Sequence, residues 1–575
     1  MPGCDRLVVS GRGRDVLMSV QPRPWPEVPE QTAAVARAAF PKGTLAMRVR
    51  EELPGLFADE QFVSAFGLRG KPGISPGQLA LVTVLQFVEN LTDRQAADAV
   101  RGRIDWKYAL GLELTDPGFD HTVLTGFRQR LIDHGLEEKV LDLLLVRLAE
   151  LGMVKPGGRQ RTDSTHVLAA VRSVNRLEFL AETLRAALEA LSAAAPDWLA
   201  NHIDAEWVQR YGARADSYRL PQGEDKRTKL AVQVGADGFD LLEAIHADHA
   251  PAWLREVPAV VVLRRVWITQ YHRTITGGRQ EVAWREDKDL PPSRQRICSP
   301  YDTDARYATK RGSGWEGYKV HLSETCDDTT ATNLPHLITN VATTDATLTD
   351  VEMLEHIHTG LDHRNLLPDE HIVDAGYTSA ELMVSTRRDF RITLLGPLRI
   401  DNSAQARTNS GFDRTAFTID WDNQRVTCPQ GVTNTIWSTC TERGRESIVV
   451  RFPAPTCLTC PVRTQCTSST RTGRQLMLRP REIHEMVEQA RAAQTTEEWK
   501  QRYAIRAGIE ATIHQATATT GIRRSRYHGL PKTHLAHVIT ATAINLIRLD
   551  AWWTETPPGR TRTSHLTTLG ASLAA

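Results

Sequence analysis

The apolar period of this chain changes several times along its 575 residues, and that alternation restricts the fold more than any other feature. Helical spacing occupies about 31 to 155. Short β-rich runs follow at Arg159 to Val171, Gly317 to Leu322, His336 to Val341, His371 to Asp374 and Arg391 to Leu395. Helical spacing returns near Arg481 and runs to Trp553, with one break at Gly521 to Pro531. A chain of this length exceeds a single hydrophobic core. Strands interrupted by helices, with long stretches of other character between them, describe an α/β core with insertions.

Local signals sharpen that outline. Ser75-Pro76 pairs an N-cap with Pro at the first helical position and opens a helix over Gly77 to Val88. Thr92 to Gln95 forms a capping box for a shorter helix through Val100. Two helices joined by so short a turn suit a helix-turn-helix, with Arg94, Arg101 and Arg103 on or after the second, although such pairs also serve simply as packing units. Leu177, Leu180, Leu184, Leu188 and Leu191 form a core stripe on one helix. The sequence leaves open the topology up to Ser299. Residues 401 to 480 are rich in Thr, Arg and Cys and break the α/β pattern.

The net charge of +1 hides an asymmetry. Between Trp499 and Leu549 stand eight Lys or Arg residues and a single acid, Glu510. Clustered positive charge in a nearly neutral protein suits a face that grips nucleic acid. No apolar run is long enough to span a membrane, and Met1 to Ser19 lacks the apolar segment of a secretion signal, so the expected location is the cytoplasm, at the nucleoid.

Three acids stand at suggestive points: Asp163 within the first strand, Asp374 at a strand end, and Glu510 on a late helix. Each has an ordinary reading. Asp163 can bond Thr162 or Ser164, Asp374 can form a turn before Gly376, and Glu510 can pair with Arg506 on its own helix. Tyr503, Arg506 and Glu510 fall at i, i+3 and i+7, on one face of a regular helix. A carboxylate beside cations on such a face suits a site where acids bind metal and basic groups hold phosphate.

These segments also carry a resemblance. Thr162-Asp163-Ser164-Thr165-His166 and Val373-Asp374-Ala375-Gly376-Tyr377 resemble the first two carboxylate motifs of insertion-sequence DDE transposases, and Tyr503-x-x-Arg506-x-x-x-Glu510 resembles the third. Gly521 to Leu530, with Lys532 and Ala543 to Arg548, is similar to the segment that follows that Glu, and 40 to 155 to the helical N-terminal domain. The resemblance implies an RNase H-like core in which Asp163, Asp374 and Glu510 hold Mg²⁺ or Mn²⁺. It implies two-metal phosphoryl transfer that cuts the element's terminal inverted repeats and joins the released 3′-hydroxyl to target double-stranded DNA. Tyr503, Arg506, Arg523, Arg524, Arg526 and Lys532 are the expected DNA contacts, and the chain is expected to be a homodimer on DNA. Many relatives carry a Lys about seven residues after the Glu; Thr517 stands there in this chain. A nuclease without strand transfer and an inactive zinc-containing DNA-binding repressor are the alternative readings.

Five of the eight cysteines fall between Cys428 and Cys466. Cys457, Cys460 and Cys466, with Cys428 or Cys440 as the fourth, suit a closed structural Zn²⁺ site, whereas reduced half-buried thiols are the plain alternative. The resulting division is a flexible tail over 1–30, a helical DNA-binding domain over 31–155 and a catalytic core in three parts, 156–172, 300–400 and 481–553. A largely helical insertion over 173–299 and a zinc-binding insertion over 401–480 interrupt the core, and a flexible tail over 554–575 closes the chain.

Overall fold

A computed structural model describes residues 18–67, 70–216, 220–276, 279–310, 312–556 and 566. The tail readings for 1–17 and for most of 554–575 lie outside the described residues. Residues 18–29, assigned above to the tail, lie against the helical domain: Val20 is buried, and Met18 and Ser19 pair with Lys71 and Pro72.

The central sheet has six strands: β1 (Arg159–Leu168), β2 (Arg306–Lys310), β3 (Ser313–Thr325), β4 (Ile338–Asp345), β5 (Glu370–Val373) and β6 (Thr393–Leu395). β1 lies between β3, which it meets antiparallel, and β5, which it meets in parallel. β6 extends the parallel edge. The other side of β3 pairs first with β2 and then with β4, both antiparallel. Three antiparallel strands followed by two parallel ones, in the order β4-β3-β1-β5-β6, form an RNase H-like mixed sheet.

β1 is a central strand built almost entirely from polar residues, so its stability depends on partners for each of them. Gln160 donates to the carbonyl of Leu366 (2.7 Å) and accepts from Thr339 Oγ1 (2.6 Å). The Thr162 hydroxyl shares hydrogen bonds with Ser323 Oγ (2.6 Å) and His371 Nε2 (2.7 Å), and His371 Nδ1 meets His358 Nε2 (2.8 Å). This buried chain fastens β1 to β3 and β5.

Helix α1 (Pro76–Val88) and helix α2 (Asp93–Gly102) form the helix pair, with the Ser75 cap and the Thr92–Gln95 capping box in place. Eleven of the thirteen residues of α1 are buried, so it is a core helix, while α2 exposes Arg94, Gln95, Asp98 and Arg101. Helix α3 (Thr122–Asp133) packs beside them. On the far side of β1, α4 (Asp350–His363) and α5 (Ala380–Phe390) connect β4, β5 and β6.

The last long helices are α6 (Gly508–Thr520) and α7 (Leu530–Trp553). Leu535, Val538, Ile539, Ile544, Leu546 and Leu549 of α7 are fully buried, and each such side chain contributes about 1.5–3 kcal/mol over its exposed state. α7 packs on β4 and α1 together, so the N-terminal helices and the sheet share one hydrophobic core.

Two other cores stand apart. The leucine stripe lies on the helix Arg176–Ala194, which packs with the helices Glu224–His246 and Pro258–Gln270 around Trp267. Between β6 and α6, a small sheet of Ile436–Glu442, Arg445–Arg451 and Gln475–Leu478 encloses seven buried apolar side chains. Among the described residues no helix is long and apolar enough to cross a membrane.

Candidate active site

The parallel register pairs Thr162 with Val373. Asp163 is the next residue on β1 and Asp374 the first residue past the end of β5, so the two acids follow a pair of backbones about 4.8 Å apart. Asp163 is pushed above the ordinary carboxyl range chiefly by burial, with the charge of Asp374 adding to it, while the Ser164 N–H and Arg506 work the other way.

Glu510 arrives from a third segment, and its docking is built into the fold. Arg161, two residues before Asp163, pairs with the fully buried Glu324 and donates through Nη1 to the carbonyl of Ile505 (2.7 Å). In a regular helix that carbonyl would accept from the N–H four residues on. With it captured, residues Ile505–Ala507 tighten into a 3-10 turn between the helix Glu497–Ala504 and α6. The one-face helix read for Tyr503, Arg506 and Glu510 is thus corrected to a helix, a tightened turn and a second helix. Gly508 admits the guanidinium, because a Cβ there would lie only 2.1 Å from Arg161 Nη1.

Arg506, on that turn, donates through Nη1 to Asp163 Oδ2 (2.9 Å) and through Nη2 to Glu510 Oε1 (3.4 Å). Burial acts against its charge, but Asp163, Tyr503, Asp374 and Glu510 together hold its pKa above the ordinary value. One guanidinium thus bonds two of the acids, Asp163 and Glu510, beside the strand end that carries Asp374. Each ordinary contact is present as well: the Ser164 N–H on Asp163 Oδ1 (2.7 Å), the Gly376 N–H on Asp374 Oδ1 (2.7 Å), and the Arg506–Glu510 pair. The acids converge in addition to making them. Tyr503 stacks on Trp499 at 4.7 Å and packs over the β5–β6 edge.

The expected cations separate into groups. The loop after α6 pairs in parallel with the end of β1, with the Leu168 N–H on the carbonyl of Arg523 and the Ser525 N–H on the carbonyl of Leu168, and Arg523 Nε donates to Thr165 Oγ1 (2.9 Å) on the Asp163 face. Arg524 is exposed beside it. Arg526 instead bonds Asn90 and Leu91 in the turn between α1 and α2, and Arg128 stacks over Tyr527 at 5.6 Å. Lys532 is exposed at the start of α7. Thr517 turns its hydroxyl onto the carbonyl of Ile513 (2.8 Å).

Several residues beside the acids escaped the sequence reading. Asp350, at the first position of α4, accepts from Ser164 Oγ (3.2 Å) and Lys319 Nζ (3.4 Å). A Cβ on Gly376 would stand 2.9 Å from Asp374 Oδ1 and 3.0 Å from Asp350 Oδ2. The buried Tyr377 hydroxyl shares a hydrogen bond with His321 Nδ1 (2.6 Å). Tyr377 stood inside a quoted motif, whereas Asp350 looked like any acid at a helix start.

Cys428, Cys457, Cys460 and Cys466 line one small cavity of about 40 Å³ with Phe412, Phe452 and Arg474. Burial raises the Cys466 thiol, Arg474 opposes that, and the other three sulfurs add to it. Cys440 lies on the strand Ile436–Glu442 opposite Ser447 and does not line the cavity. Among the described residues no group of three or more His, Cys, Asp or Glu side chains is drawn together tightly enough to hold a metal ion as it stands. The donor types nevertheless fit: carboxylates, two of them on one guanidinium, suit Mg²⁺ or Mn²⁺, and four thiols lining one cavity suit Zn²⁺.

Residues 427–550 match a family model described as a transposase DDE domain, and residues 34–130 match one described as a transposase domain (DUF772). Glu510 and the four cavity-lining cysteines fall inside the first match; Asp163 and Asp374 lie outside both. No curated protein and no solved structure matches the chain. The sheet and these two domain matches support an insertion-sequence DDE transposase.

Proposed function

We propose that this transposase binds the terminal inverted repeats of its element, cuts at their ends and joins the released ends to target DNA, with Asp163, Asp374 and Glu510 as the catalytic acids. The observation that carries this reading is the Arg506 guanidinium bonded to both Asp163 of β1 and Glu510 of α6, with Asp374 just past the end of the strand paired beside Asp163. Those acids would hold Mg²⁺ or Mn²⁺, which supplies an activated water and stabilises charge on the reacting phosphate oxygens. Arg506 then exchanges a carboxylate partner for a DNA phosphate, an anion it can grip through two nitrogens. Arg523 and Arg524, beside the end of β1, extend the cationic track along the backbone, and Lys532 adds to it from α7. Two copies of the chain act on a paired set of ends. The division into domains follows the boundaries given above except that residues 18–29 join the helical domain, whose helix pair shares one core with the sheet.

A structural Zn²⁺ on Cys428, Cys457, Cys460 and Cys466 supports the small insertion, whose seven-residue core is too slight to be stable unaided.

Glu510→Gln tests the catalytic assignment because it keeps size and removes charge. Binding to element ends, measured by gel shift, should persist, since affinity comes largely from cations on phosphates. Cleavage and strand transfer should fall by on the order of 10³-fold or more. Near wild-type cutting and joining by this variant would refute the assignment, and cutting without joined products would favour the nuclease reading.

A further inference from the structure

We infer that Asp350 is a fourth carboxylate of this site, a positioning residue that aligns Asp163 through Ser164 and adds its charge beside Asp374. The inference rests on the three-acid reading above and extends it to a residue outside the family motifs.

The carrying observation is a shared residue. Ser164 donates its backbone N–H to Asp163 Oδ1 (2.7 Å) and its hydroxyl to Asp350 Oδ1 (3.2 Å), so one residue of β1 ties the two carboxylates from opposite faces of the strand. A second contact comes from the other strand. Asp374 Oδ1 and Asp350 Oδ2 both flank Gly376, 2.9 and 3.0 Å from where a side chain would begin, which leaves them less than about 6 Å apart. Gly376 keeps that gap free of carbon.

The two oxygens of Asp350 do different things. Oδ1 is taken by Ser164 and Lys319, the latter anchored in turn on the carbonyl of Leu348 (2.7 Å). Oδ2 is the oxygen beside Gly376. The simple alternative is an acid that only favours the start of α4. That role is already served by the capping box of Thr349 and Glu352, and it needs neither Ser164 nor Lys319. Asp350 thus has the geometry of an orienting group: one oxygen anchored on Ser164 and Lys319, the other beside Gly376 within about 6 Å of Asp374 Oδ1.

The test is the affinity of the purified full-length chain for Mn²⁺ alone, followed by the electron paramagnetic resonance of free Mn²⁺. Asp350→Asn keeps the hydrogen bond from Ser164 and removes the charge. It should weaken Mn²⁺ binding by about tenfold, with the melting temperature and DNA-end affinity unchanged. Asp350→Glu should restore affinity to within about threefold. Ser164→Ala cuts the tie without removing charge and should cost about threefold, which keeps the test decisive if Asp350→Asn does not fold. Asp374→Asn should abolish binding. If Asp374→Asn abolishes binding while Asp350→Asn and Ser164→Ala stay within about twofold of wild type, the role of Asp350 is overturned and the three-acid site stands. If Asp374→Asn binds Mn²⁺ as wild type does, both readings fall.

Discussion

Glu324 offers the most direct test of how α6 is held against the sheet. Its carboxylate is fully buried and accepts from Arg161 Nε (2.7 Å), Arg548 Nη1 (2.8 Å) and Thr512 Oγ1 (2.6 Å). It therefore joins β3 to β1, α6 and α7. Burial works against its ionisation, but Arg548 and Arg161 prevail and hold it below the ordinary value. Glu324→Gln removes the charge and leaves two guanidinium groups without it. Breaking a buried ion pair from one side costs about 3–5 kcal/mol. Arg161 keeps the carbonyl of Ile505, and Arg548 keeps Gln515 and the carbonyl of His336, so the lower end, about 3 kcal/mol, applies.

With several cores in one chain, global unfolding is a poor measure of that loss. Hydrogen exchange read by mass spectrometry on peptides spanning Ser313–Thr325 and Gly508–Thr520 measures it locally. About 3 kcal/mol corresponds to roughly a 10²-fold faster exchange of those amides, with the helices around Trp267 unaffected. The sign with pH is fixed by the lowered pKa. The stability from this carboxylate is present above its unfolded value near 4.5 and is lost as pH falls through the folded one. Exchange within about threefold of wild type would show that Glu324 does not hold α6, and the docking argument for Glu510 would fail with it.

Protein purified without chelator should carry one Zn²⁺ per chain by mass spectrometry of the metal. Cys457→Ser should lose it and loosen the small sheet, whereas Cys440→Ser should retain it; absence of zinc from wild type refutes the site. Buried His321 and His358 are lowered to about 4 and His537 to about 3, mainly by loss of hydration. Between pH 6.5 and about 4 the unfolded chain therefore binds more protons than the folded one, so stability falls with acidification by about 1.4 kcal/mol per pH unit for each histidine. His537→Gln should flatten the pH dependence of hydrogen exchange in peptides spanning Leu530–Trp553 in that window, and an unchanged slope would refute the assignment.

The elements themselves were legible in the sequence because their signals are local. Caps at Ser75 and Thr92, the leucine stripe from Leu177 and the break at Gly521 depend on neighbours within a few residues, and the helices start and stop accordingly. The acids were legible for a related reason: Asp163 and Asp374 each sit in a short motif, and Glu510 is isolated among cations.

What the sequence by itself determined, then, is which segments form helices and strands and which acids and thiols to watch. Tertiary structure alone decided the register that sets Asp163 beside Asp374, and the capture of the Ile505 carbonyl that bends the third motif. It also decided that Arg526 faces the helix pair instead of the three acids. Asp350 belongs to the same class. Its helix-start position carries no local mark, and its meaning comes from Ser164, 186 residues earlier, and Gly376 on the far side of β5. Contacts across such separations are set by strand pairing and packing, which one-dimensional periodicity does not encode.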